Sequence, residues 1–328
     1  MRPDAVSRLR DPRTRAPLRL APESGELVSS DGTRYAIRGG IPRFVDDEGY
    51  TASFGEQWRR YRLTQIDREN GTHVTADRLF QTSGWPPEDL AGQEVLEVGC
   101  GAGRFTQVLL DAGAKVVAVD YSAAVEACLE NNRDHPELLV IQADLYALPL
   151  AERAFDRVLC YGVLQHTPDP ARAFRALLPF LKPGGRLAID CYRKMPWTNR
   201  WTAKYWWRPL TRRLPSTTLR SMVEAFIPRW LPVDTAVQRV PVLRTLVPAI
   251  VPCYNYAGVL PLTGEQIVAW AVLDMFDALA PRFDLPQSME DVRRWFDEAR
   301  LDDIQVRPGG TGIVGTARMP STGDRGSR

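Results

Sequence analysis

The chain has 328 residues and a formal net charge of +2. That is long enough for a sizeable core and more than one typical domain, and too weakly charged overall to imply a polyanionic partner. Its five cysteines, Cys100, Cys128, Cys160, Cys191 and Cys253, form no C-x-x-C pair, which argues against a disulfide framework or a cysteine zinc site and suits a reducing cytoplasm. No apolar signal region opens the chain and no run of about 18 apolar residues occurs, so neither a secretory signal nor a spanning helix is expected.

Residues 1–46 read as a small N-terminal module. LRDPRT at Leu9–Thr14 and the Leu27–Asp31 segment precede YAIRGGIPRF at Tyr35–Phe44. This pattern resembles a small zinc-ribbon module. In that family cysteine pairs would fall near Asp11 and Thr14 and within Val28–Asp31, and all four are absent here. The resemblance implies a ribbon that has lost its metal and must pack on the main domain, because so short a segment rarely folds alone. The alternative is an irregular N-terminal arm.

Residues 47–90 come next. After a polar linker, FGEQWRRYRLTQID at Phe54–Asp67 is amphipathic at helical spacing, with Phe54, Trp58, Tyr61 and Leu63 on one side. Val95–Thr106 then reads VLEVGCGAGRFT: a short apolar run that breaks into Gly99, Gly101 and Gly103 and continues as a helix. Strand, glycine turn and helix start form the ligand crevice of a doubly wound α/β domain. A dinucleotide fold wants G-x-G-x-x-G, with pyrophosphate on the helix N-terminus. Here the spacing is G-x-G-x-G, and Glu97 precedes the turn, where a carboxylate would repel pyrophosphate. The cationic ammonium and sulfonium of S-adenosylmethionine suit such an acid better.

VVAVD at Val116–Asp120 is a second strand. It ends in an acid about 20 residues past the turn, where a carboxylate accepts from ribose hydroxyls. Tyr121 follows it, and Ser122 can cap the next helix. LVIQAD at Leu139–Asp144 is a third strand, again ending in an acid. A fourth, Arg157–Tyr161, leads through FDRVLCYGVLQHTPDP to a helix capped by Asp169. After the turn at Lys182–Gly185, Arg186–Tyr192 is a fifth strand. Ser288–Ala299 is an amphipathic helix, and Asp303–Arg307 and Gly312–Met319 form a hairpin.

Taken in order, VLEVGCGAG, VVAVD, QADLYALP, FDRVLCYGVLQH and LKPGGRLAID resemble the class I S-adenosylmethionine-dependent methyltransferases. The resemblance implies an α/β fold with a doubly wound, Rossmann-like seven-stranded sheet closed by an antiparallel C-terminal hairpin. It also implies S-adenosyl-L-methionine as cofactor, with the core at 91–192 and 287–319, cap helices at 47–90 and a disordered tail at 320–328. It would place Glu97, Gly99, Gly101, Gly103, Asp120, Tyr121 and Tyr161 about the cofactor, with Asp144 on the adenine amino group and the Leu145 N–H on the ring. Gln57 and Trp58 of the cap would touch the cofactor, and Arg62 would take its carboxylate. Core packing with a solvated basic face is the alternative for that helix.

Residues 193–286 exceed what the core fold needs and are expected to form a helical, substrate-binding insertion over the strand ends. Residues 191–260 carry eleven Arg or Lys against Glu224 and Asp234, a local charge of +9, so the remainder is −7. Trp197, Trp201, Tyr205, Trp206 and Trp207 are interleaved. Three readings stand: a surface that stacks bases and holds phosphates, a membrane interface or anionic lipid-linked acceptor site, or helices with aromatic core faces and solvated arginines. Tyr256, Asp274 and Asp277 are candidates for the acceptor pocket, with helix-surface acids as the alternative.

Methyl transfer asks the protein to align donor and acceptor, exclude water and, for a hydroxyl acceptor, take a proton. His166 is the candidate base, with Gln165 and Tyr161 beside it, although a histidine here can also be structural. His73 lies in the cap region, and His135 at a helix end is expected to be solvated. Cys160-Tyr161-Gly162-Val163 stands where base-amino methylating enzymes carry Asn/Asp-Pro-Pro-aromatic, and Pro252-Cys253 lies in the insertion rather than where pyrimidine carbon-5 enzymes need it. No acidic metal cluster is evident. The expectation is metal-independent O- or N-methylation of a small or lipid-linked metabolite such as a glycan or secondary metabolite. Peripheral membrane contact is compatible with it; a tRNA or rRNA methyltransferase and a non-catalytic cofactor-binding module are the alternatives.

Overall fold

The computed structural model describes residues 3–46, 49–133, 135–195 and 200–321. Trp197, the side chain of Trp201 and residues 322–328 of the expected tail lie outside the described residues.

The main sheet has seven strands: β1 (Glu94–Val98), β2 (Lys115–Asp120), β3 (Leu138–Gln142), β4 (Phe155–Cys160), β5 (Leu181–Cys191), β6 (Asp302–Gly309) and β7 (Gly312–Arg318). Their spatial order is β3-β2-β1-β4-β5-β7-β6. β1 to β5 run parallel, and β7 lies antiparallel to both β5 and β6. The order reverses beside β1, which makes the carboxyl ends of β1 and β4 the crevice of the fold. β5 starts earlier than expected: Lys182–Gly185 form a bulge within the strand, between the pairs Leu181↔Phe155 and Arg186↔Arg157.

Side chains alternate across β1 because the strand period is two. Leu96 and Val98 join the apolar layer on one face, and Val95 joins the layer on the other. α5 (Pro170–Leu177) and α10 (Met289–Glu298) cover the first face through Phe174, Trp295 and Phe296. α2 (Val74–Ser83), α3 (Arg104–Asp111) and α4 (Ala124–Asn132) cover the second through Leu79, Leu109 and Cys128. Parallel strands buried on both faces explain the nearly continuous apolar runs in the sequence.

α1 (Ala52–Arg60) stops seven residues before the expected Asp67. Tyr61 leaves the helical path to give its hydroxyl to Glu224 at 2.5 Å, and the chain turns through Leu63 and Thr64. Among its described residues the insertion forms four helices: α6 (Arg200–Thr211), α7 (Ser216–Val237), α8 (Leu243–Ile250) and α9 (Gly264–Leu279). α7 and α9 share an apolar core of Leu219, Val223, Ile227, Met275 and Phe276. α6 inverts the reading of an aromatic core face with solvated cations. Its buried side carries Lys204, paired with Asp284 at 2.6 Å, and Arg208, which donates to the Ala278 and Pro281 carbonyls. Trp206 and Trp207 face outward.

The N-terminal segment shares the main core rather than standing apart. Leu9, Leu18 and Leu27 are buried with Leu148 and Leu150, and Phe44 N–H donates to the Gln142 carbonyl at the β3 edge. Where the ribbon family would hold metal, Asp11 gathers the loops. Its Oδ1 accepts from the Arg13 and Thr14 N–H groups at 2.8 and 2.9 Å, and its Oδ2 accepts from the Tyr35 hydroxyl at 3.0 Å. Burial would raise this carboxyl, but those backbone bonds outweigh it and hold it at about 2. Asp11→Ala strands three donors and should lower stability at neutral pH by about 1–3 kcal/mol. Thermal melting checks this, and an unchanged midpoint contradicts the staple.

Candidate active site

β1 ends at Val98, and the chain passes through Gly99–Gly103 into α3 under tight packing. A Cβ on Gly99 would lie 2.0 Å from Val163 Cγ2, and one on Gly101 3.2 Å from the Trp58 indole; both residues have positive φ, +81° and +52°. Only glycine meets both demands. The turn brings the Gly101 N–H to Asp120 Oδ2 at 2.9 Å. Asp120 Oδ1 accepts from the Ser122 N–H and hydroxyl at 2.9 and 2.8 Å. Burial raises the Asp120 carboxyl above its ordinary range despite these bonds.

A cavity of about 1070 Å³ opens beside the turn. Its size lies at the upper end of the roughly 300–1,000 Å³ of typical small-ligand sites. Gly99, Gly101, Asp120, Tyr121, Leu145, Tyr161 and Trp58 line one part of it. The Tyr50 and Tyr121 rings stand 5.4 Å apart there. His166 and Tyr192 line it from the ends of the parallel strands, His73 from the cap, and Tyr254, Tyr256, Trp270, Asp274 and Asp277 from the insertion. The Tyr256 hydroxyl donates to Asp274, whose carboxyl is raised by burial to about 6.

Five expected site residues do not face this cavity. Glu97 lies behind the turn, where its Oε2 accepts from the Thr106 hydroxyl at 2.5 Å and its Oε1 has no hydrogen-bond partner among the described residues. Burial pushes its carboxyl up to about 8, so it is largely neutral at pH 7. Its charge therefore gives no argument against pyrophosphate; the glycine spacing still does. Gly103 is the N-cap of α3 and packs on Cys128 and Asn132. Arg62, displaced by the early end of α1, bonds Asn131 at 2.6 Å and Glu130 at 2.9 Å. Asp144 accepts from the Tyr146 N–H, capping a short 3-10 turn, while Ala143 and Leu145 on either side face the cavity. Gln165 is fully buried off the cavity wall. His135 is half-buried and accepts the Glu137 N–H.

The sequence reading missed Arg104 and Arg78. Arg104, the first residue of α3, lines the cavity and donates to Gln65; among the described residues no carboxylate lies within ion-pair distance of it. Burial and the nearby Arg78 lower it to about 10, so it keeps its charge at neutral pH. Arg78 is instead committed to Asp190 at 2.7 Å. The position of Arg104, directly after the third glycine, was the available signal.

His166 sits in an asymmetric environment. Its Nδ1 lies 3.0 Å from the Phe283 carbonyl, which can only accept, so Nδ1 carries the proton and Nε2 offers a lone pair. Nε2 is buried and takes no hydrogen bond from a described residue. Asp277 Oδ2 lies 4.0 Å from Nε2 and accepts the Tyr192 hydroxyl at 3.0 Å. The Phe54 and Tyr192 rings pack edge-on against the imidazole at 5.2 and 5.4 Å and hold its orientation.

Residues 96–189 match the family model described as a methyltransferase domain. With the strand order and the crevice above, the chain carries a class I S-adenosylmethionine-dependent methyltransferase domain. It is similar to the ubiquinone biosynthesis O-methyltransferase of Pseudomonas fluorescens SBW25, 33% identical over 111 residues that cover 33% of this chain and 48% of that protein. The enzyme of the same name from Xanthomonas oryzae pv. oryzae is 34% identical over 114 residues, 33% and 46% of the two chains. The chain thus spans just under half the length of these relatives. Among solved structures, an S-adenosylmethionine-dependent methyltransferase from Mesorhizobium loti is 26% identical over 36% of this chain and 53% of that one, with a TM-score of 0.32.

The wall chemistry fits the cofactor of this class. Asp120 Oδ2 accepts from the Gly101 N–H and keeps lone-pair capacity for a ribose hydroxyl. The Tyr50–Tyr121 pair with Val98, Ala143 and Leu145 makes an apolar slot for a planar base, and the unpaired Arg104 suits a carboxylate.

The buried Glu97 gives a pH prediction. The folded chain holds its proton and the unfolded chain releases it, so its contribution to stability is full below 4.5 and is lost as pH rises through about 8. Glu97→Gln should therefore melt a few degrees higher than the native chain at pH 9, with the gap closing below pH 5. Parallel melting curves at both pH values refute the assignment.

Proposed function

We propose that the chain transfers a methyl group from S-adenosylmethionine to a hydroxyl oxygen of a small or lipid-linked metabolite. The geometry of His166 carries this reading. A neutral amine needs no base to attack a methyl group, whereas a hydroxyl must lose its proton, and His166 lines the cavity with a buried Nε2 that takes no hydrogen bond from a described residue. When bound, S-adenosylmethionine supplies an electrophilic methyl on a sulfonium that departs as a neutral thioether.

The protein does the rest. Asp120, Arg104 and the glycine turn hold one end of the cavity, and Tyr254, Tyr256 and Trp270 give the acceptor an aromatic berth. His166 Nε2 takes the hydroxyl proton as the new C–O bond forms. Asp277, 4.0 Å away, stabilises the resulting imidazolium, and the Phe283 carbonyl keeps the tautomer. The two similar O-methyltransferases support the choice of oxygen over nitrogen as acceptor atom.

The test is transfer of labelled methyl to a panel of phenols and hydroxylated lipids. His166→Ala should lower the rate about 10²–10⁴-fold while leaving S-adenosylhomocysteine affinity unchanged, with a smaller loss for Asp277→Asn. Full rate in His166→Ala, or transfer confined to amines, overturns the reading. Asp120→Ala should weaken S-adenosylhomocysteine binding by about tenfold or more in calorimetry, as expected for a lost charged hydrogen bond; equal affinity contradicts its role.

A further inference from the structure

The outer face of the insertion presents large apolar side chains to solvent. On α6, Trp206 is 66% exposed, and Trp207 and Leu210 are exposed beside it. On α8, Leu243, Leu246 and Ile250 recur at helical spacing on one side, with Leu246 57% and Ile250 64% exposed. The two helices pack together, and the Trp207 indole N–H donates to the Ile250 carbonyl at 2.9 Å, so these side chains form one patch. An apolar helical face turned outward forfeits the burial that normally stabilises a helix, and marks a surface that is covered in use.

The charge around the patch is one-sided. Arg212, Arg213, Arg239 and Arg244 are exposed, and among the described residues no carboxylate lies within ion-pair distance of them. The two acids between positions 191 and 260 are committed internally: Glu224 to Arg60 and Tyr61, and the buried Asp234 to Asn255. What remains outward is apolar and cationic. Among the described residues no helix is long and apolar enough to cross a membrane. Arginines beside tryptophan, leucine and isoleucine on a short helix suit a helix lying in the plane of an anionic bilayer.

We infer that α6 and α8 dock the protein on an anionic lipid surface. Past α8 the chain runs through the buried Cys253 and Tyr254 to Val259 and Leu260, which line the cavity, with Val259 strongly exposed. Docking therefore sets the cavity mouth near the bilayer and admits an acceptor carried on a lipid tail. That last step rests on the proposed methyl transfer; the docking itself does not.

Vesicle flotation of the full chain tests docking without reading activity, so its outcome is separate from that of the transfer assay. The probes are phosphatidylcholine vesicles with and without phosphatidylglycerol. Binding is expected only to the anionic vesicles and is lost at roughly 0.5 M salt. The paired changes Arg212→Glu and Arg213→Glu should weaken it by about tenfold or more. Leu246→Glu with Ile250→Glu should abolish it while leaving S-adenosylhomocysteine affinity unchanged, which shows the variant is folded. No flotation with anionic vesicles, flotation that these variants leave intact, or a dimer in light scattering that Leu246→Glu disrupts without any vesicle binding overturns the inference.

Discussion

The bond from the Gly101 N–H to the Asp120 carboxylate is the contact on which the rest of the site depends. It ties the turn after β1 to the end of β2, beside the point between β1 and β4 where the sheet reverses its strand order. It forms only because the backbone passes under Trp58 and beside Val163 with no Cβ between them. The same approach sets the base of the crevice and starts α3, so Arg104 meets the cavity at the first helical residue. One tight turn thus positions a carboxylate, a cation and an aromatic wall together, at no cost in loop length.

The opposite wall is built differently. His166 follows β4, but its hydrogen-bond partner is the Phe283 carbonyl, 117 residues later, and its acidic neighbour Asp277 comes from α9. Tyr192, at the end of β5, joins them through Asp277. The insertion therefore does more than cover the strands. It supplies the carbonyl that fixes the tautomer of a side chain on the core, and a carboxylate 4.0 Å from that side chain. Buried polar pairs of this kind constrain geometry more than they stabilise, and Lys204–Asp284 and Arg208 under α6 play that part for the insertion.

Much of this was legible in the sequence, and the reasons differ by element. Strands with two buried faces read as apolar runs, and the glycine turn and strand-end acids sit at fixed intervals, so the sheet and the position of Asp120 follow from local pattern. Arg62 misled because a helical period was extended past Arg60, where the helix ends and the Tyr61 hydroxyl reaches the distant Glu224. Glu97 misled because its charge depends on burial, and the apolar neighbours Leu96 and Val98 that signal burial were used only to place the strand. In α6 one sequence reading was an aromatic core face with solvated arginines, yet Lys204 and Arg208 went in and Trp206 and Trp207 out. Hydropathy alone ranks those faces the wrong way when a buried carboxylate such as Asp284 awaits the lysine.

The proposed methyl transfer requires one cavity to hold donor and acceptor together, with His166 in its wall. A crystal structure with S-adenosylhomocysteine tests this most directly. The account predicts ribose hydroxyls on Asp120, the carboxylate on Arg104, and the sulfur facing the part of the cavity that holds His166. Ligand bound with its sulfur turned away from His166, or seated outside the cavity beside Gly101, would contradict it.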